Sequence, residues 1–84
     1  MKNPETREMM AKVYRIVERY ETPPKVTSIE EAKRYLLNVA NDAASVSEMY
    51  KGNVFAKEFG IAIFEAVNEL FNQMNTFPLS EENS

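Results

Sequence analysis

The sequence predicts an all-α protein: an up-down-up antiparallel three-helix bundle, assembled as a homodimer through its third helix. Apolar residues recur at spacings of three and four in three separate segments. Helix-starting and helix-stopping residues bracket each segment. The third segment is apolar over more of its circumference than two neighbouring helices cover. With 84 residues the chain makes one domain, expected over 1–79, with a polar frayed tail at 80–84.

The first helix is expected at about 4–21. Asn3 is a good cap, and Pro4 suits the first helical position because its missing N–H would have no intrahelical partner there. Met9, Val13, Ile16 and Tyr20 share a face, and Thr22-Pro23-Pro24 stops the helix. The second helix is expected at about 28–51. Thr27 with Glu30, and Ser28 with Glu31, both fit a capping box. Ile29, Ala32, Leu36, Val39, Ala43, Val46 and Tyr50 form an unbroken heptad seam, and Gly52 ends it. The third helix is expected at about 54–75, after Asn53 as cap. Its expected core stripe is Phe59, Ile63, Val67, Leu70 and Met74, with Ala56 and Ala66.

Folding the second and third helices back about Gly52 brings Ala44 near Gly60. A glycine inside a helix costs about 1 kcal/mol relative to alanine. Close packing of two helix backbones at Ala44 and Gly60 gives that cost a purpose.

The stretch EFGIAIFEAVNELF, residues 58–71, holds nine apolar residues in fourteen, three of them Phe. Phe64 and Phe71 stand one heptad apart and widen the stripe beyond what the bundle covers; Ile61 lies beside an acidic strip of Glu58, Glu65 and Glu69. Leaving both Phe wet forfeits several kcal/mol, at roughly 1.5–3 kcal/mol each. Three covers are available: a second copy of the chain, the tail at Phe77-Pro78-Leu79, or another protein. The expected cover is a second copy, with Ile61, Phe64, Phe71 and Phe77 at the interface.

Chemistry is sparsely supplied. The chain has no Cys and no His, which removes most nucleophile–base pairs and the usual metal sites. Its two glycines stand eight residues apart, so no phosphate-cradling loop is present. Glu65 and Glu69 share a face, but the His that completes a helical di-metal site is missing. The expectation is therefore no catalytic residues, no cofactor and no metal.

Net charge is −3: residues 1–57 carry +2 and residues 58–84 carry −5. Nucleic-acid-binding domains are usually basic, so nucleic acid is disfavoured as a partner. Lys12, Arg15 and Arg19 on the first helix make the one basic patch that supports the alternative, a nucleic-acid-associated regulator. No apolar run is long enough for a secretory signal or a membrane span, so no membrane partner and a cytoplasmic location are expected. The general type is similar to small accessory or regulatory proteins of bacteria and phages, although no motif carries that likeness. The functional expectation is a small non-catalytic protein–protein interaction module.

Overall fold

The computed structural model describes residues 4–75; Phe77 and the 80–84 tail lie outside them. Three helices follow in order: α1 at Pro4–Tyr20, α2 at Ile29–Met49 and α3 at Val54–Met74. No strand occurs among the described residues.

Local chemistry sets the helix ends. Ser28 caps α2, its Oγ accepting from the Glu31 N–H at 3.1 Å. The Glu31 carboxylate reaches back to accept from Thr27 N–H at 2.9 Å and Thr27 Oγ1 at 3.0 Å. These bonds, led by the Thr27 backbone bond, pull the Glu31 carboxyl below its ordinary value. Of the two available capping boxes the chain uses Ser28–Glu31. Asn53 caps α3, its Oδ1 accepting from Ala56 N–H at 3.2 Å. Between them Gly52 takes φ 85°, the left-handed region where a side chain is penalised.

Contacts between the helices fix their order in space. Tyr50 Oη, just past α2, reaches Glu8 near the start of α1 at 3.5 Å, while Tyr20 at the end of α1 reaches Asp42. α1 therefore runs antiparallel to α2. Asn53 Nδ2 donates to Glu5 Oε2 at 3.1 Å, which sets the beginnings of α1 and α3 side by side. The arrangement is a three-helix bundle in which α2 and α3 pack more extensively against each other than α1 packs on either.

Met9, Ile16 and Tyr20 of α1, Val39, Ala43 and Val46 of α2, and Ala56, Ile63 and Val67 of α3 form the core. The buried stripe of α3 runs through Ala56, Gly60, Ile63, Val67 and Phe71. It is thus rotated from the expected one, leaving Leu70 and Met74 partly exposed. The reason is Gly60. Its position without a side chain admits the α2 backbone, so the line of contact passes through Gly60 rather than beside it.

Candidate functional site

The two long helices approach each other closely at Gly60. A Cβ built there would sit 2.8 Å from the Ala43 carbonyl oxygen. Close packing at Gly60 is thus made against Ala43, one residue before the Ala44 that reflection about the turn indicates. Ala44 itself is exposed. It shares with Gly60, Ala40 and Ser47 the lining of a groove of about 330 Å³ between α2 and α3. Small residues on both helices make this groove, because no side chain is long enough to fill it.

Ile61 and Phe64 supply the apolar part of its α3 wall, with Lys57 and Glu65 on the same wall. Ile61 is 48% exposed, and Phe64 is half-buried against the core. A smaller depression of about 180 Å³ continues the groove toward Gly52, sharing Ser47 and Lys57 and adding the exposed Val54.

Phe71 departs from the expected interface. It is 2% exposed, stacked on Tyr35 with ring centroids 5.2 Å apart, and Tyr35 in turn meets Tyr20 edge-on at 5.7 Å. Phe64 and Phe71 do share a helix face, as their heptad spacing requires. What differs is the cover. Phe71 lies against the Tyr35 ring, whereas Phe64 lines the groove with alanines opposite it. Phe77 falls outside the described residues.

Two polar residues tie the bundle together in ways the sequence pattern hides. Asn75 is 8% exposed. Its Oδ1 accepts from Val26 N–H at 2.9 Å, and its Nδ2 donates to the Pro24 and Phe71 carbonyls at 3.0 and 3.1 Å. It clamps the α1–α2 connection to the end of α3. The available signal was its register, because 63, 67, 71 and 75 continue one stripe and a polar residue there is out of place. Asp42 sits at the α1–α2 seam and accepts from Arg19 Nη1 at 3.0 Å and from Tyr20 Oη.

Of the basic patch, Arg19 is thus engaged by Asp42, whose hydrogen bond raises the guanidinium pKa further. Arg15 is exposed and Lys12 half-buried on the same helix. Burial, followed by the Asp42 hydrogen bond, pushes the Tyr20 hydroxyl above its ordinary pKa, and burial does the same for Tyr35. The Tyr35 hydroxyl is buried without a hydrogen-bond partner among the described residues. No group of three or more carboxylates among the described residues is close enough to hold a metal ion. None of the helices among them is long and apolar enough to cross a membrane.

Compared with known proteins, the chain matches no family model, no curated protein and no solved structure.

Proposed function

We propose that the protein is a small non-catalytic interaction module that works by binding protein through the α2–α3 groove, first of all a second copy of itself. The observation that carries this reading is the groove, an apolar cleft floored by Ala40, Ala44 and Gly60 and walled by Ile61 and Phe64. An apolar cleft with charged residues at its margin has the anatomy of an interface: its centre supplies burial and its rim selects the partner.

The test is molar mass in solution, by light scattering behind a sizing column, over a wide concentration range. The expected mass is twice that of the 9.7 kDa chain. Ile61→Glu should return it to one chain with helical content unchanged. A wild-type chain that stays single at every concentration overturns the self-association. An Ile61→Glu variant that keeps the double mass shows the groove is not where the copies meet.

A further inference from the structure

We infer that the occupant of the groove is a second copy laid antiparallel, with a two-fold axis through Ile61 and two ion pairs joining Lys57 of each chain to Glu65 of its partner. The inference rests on the self-association proposed above and specifies its geometry.

The argument begins with charge placement. α3 contains one basic residue, Lys57, and three acidic ones, Glu58, Glu65 and Glu69. Lys57 lines the groove, and so does Glu65. Neither makes an ion pair with another described residue, so both charges are uncommitted among residues 4–75. They stand four residues to either side of Ile61, the exposed apolar residue of the same wall. At about 1.5 Å rise per residue the two charges are roughly 12 Å apart along the helix, each about 6 Å from the level of Ile61.

A two-fold axis turns this spacing into self-complementarity. In an isologous contact, if residue i meets residue j, then j meets i. With antiparallel helices centred on Ile61, the level of Lys57 coincides with that of the partner's Glu65, and the reverse. Both charges are then answered, twice. Ile61 meets its own copy at the axis, and Phe64 falls between the levels of the partner's Lys57 and Ile61. Parallel helices in the same register give the opposite result. They set Lys57 against Lys57 and Glu65 against Glu65, so like charges are juxtaposed at both levels and the parallel arrangement is disfavoured.

The close approach of α2 and α3 gives this pairing its depth. Because Gly60 draws the α2 backbone in, Ala40 and Ala44 form a low floor beside Ile61. The copy therefore settles between two helices rather than against one. The centre of the assembly becomes four helices, α2 and α3 from each chain, with the two α1 helices outside.

The chain has no cysteine, so single introduced thiols report the geometry without background. Under mild oxidation Ile61→Cys should form a dimer-sized disulfide product. Lys57→Cys alone should not, because its own copy lies about 12 Å away along the helix. A mixture of Lys57→Cys and Glu65→Cys should join the two variants. Phe55→Cys, which is more exposed than Ile61 but off the groove, serves as the control that does not cross-link.

Charge exchange supplies an independent reading. Lys57→Glu and Glu65→Lys should each weaken the dimer at least about tenfold, which is about 1.4 kcal/mol. Mixing the two, or combining them in one chain, should restore it.

Self-cross-linking of Lys57→Cys overturns the antiparallel order. A wild-type dimer in which Ile61→Cys stays reduced, or in which both charge variants keep full affinity, overturns this register while leaving self-association in place. A wild-type chain that stays single overturns both readings and leaves the groove to another occupant.

Discussion

Replacing Gly60 by alanine sets two effects of opposite sign against each other. Helix propensity alone makes the variant more stable by about 1 kcal/mol. Packing opposes this, because the new Cβ would stand 2.8 Å from the Ala43 carbonyl oxygen. That oxygen belongs to the backbone of a helix, so relief requires α2 and α3 to part by roughly 0.5 Å to reach ordinary contact. Overpacking of this kind costs about 1–3 kcal/mol. Parting the helices also loosens the seam of Val39, Val46, Ala56 and Ile63. A gap of that size forfeits about a quarter of the attraction of each atom pair, and some forty pairs at about 0.15 kcal/mol each lose roughly 1.5 kcal/mol. The two costs overlap and together come to about 2–3 kcal/mol. The net result is a destabilisation of about 1–2 kcal/mol, or a Tm lower by about 5–15 °C for a domain of this size. Thermal melts followed by circular dichroism, at low and high protein concentration, measure it. Gly52→Ala is the companion variant: nothing lies within 4 Å of its Cβ, so its loss comes from φ 85° alone. An unchanged or raised Tm for Gly60→Ala refutes the close packing and the groove built on it.

Asn75→Ala removes three side-chain hydrogen bonds and leaves the Val26 N–H and the Pro24 carbonyl without their partner. The expected loss is about 2–4 kcal/mol, read as a lower urea midpoint with an unchanged slope; a loss below about 1 kcal/mol counts against the clamp. Tyr35→Phe deletes a buried hydroxyl that has no partner among the described residues while keeping the stack on Phe71, so stability should hold or rise by about 1 kcal/mol. A clear fall instead means that the hydroxyl is bonded. Tyr20, Tyr35 and Tyr50 all have pKa values raised above the ordinary 10.0, chiefly by burial. The fold therefore favours their protonated forms. Their contribution to stability is complete below about pH 10 and is lost as pH rises through the raised values. Urea midpoints should be flat toward that pH from this source and then fall, with tyrosinate absorbance rising late; ordinary titration of all three tyrosines would refute the burial.

What could be read from the sequence was the local part. Ser28 and Asn53 act as caps because a cap is decided by a side chain and an amide two or three residues away. The heptad seam of α2 fixed which face turns inward, and Val39, Ala43 and Val46 are there. The α3 stripe was harder, since a helix apolar on most sides has no single best face. Its rotation follows from Gly60, whose role depends on the residue opposite and not on its own neighbours. Phe71 was read as surplus because the ring stacked on it, Tyr35, comes from another helix. Asn75 bonds residues 49 and 51 positions away, a distance over which no periodicity carries a signal. Ile61, Phe64 and the small residues around Gly60 were legible as a group, because an apolar run with a glycine inside it is visible in one short stretch.

The polar contacts of α1 fall at its two ends. Glu5 holds Asn53 at one, Arg19 and Tyr20 hold Asp42 at the other, and just beyond it Asn75 ties down the connection to α2. Between those ties its packing is thinner than that of the α2–α3 pair. The molecule is thus a hairpin with a strap buckled across it. Cooperative opening begins where few apolar contacts must break, so the strap should unbuckle before the hairpin parts. Amide hydrogen exchange reads this as α1 exchanging through a partial opening while the Val39–Val46 segment exchanges only on global unfolding. The same order applies in reverse during folding: a four-residue link closes the α2–α3 hairpin early, and α1 is fastened last.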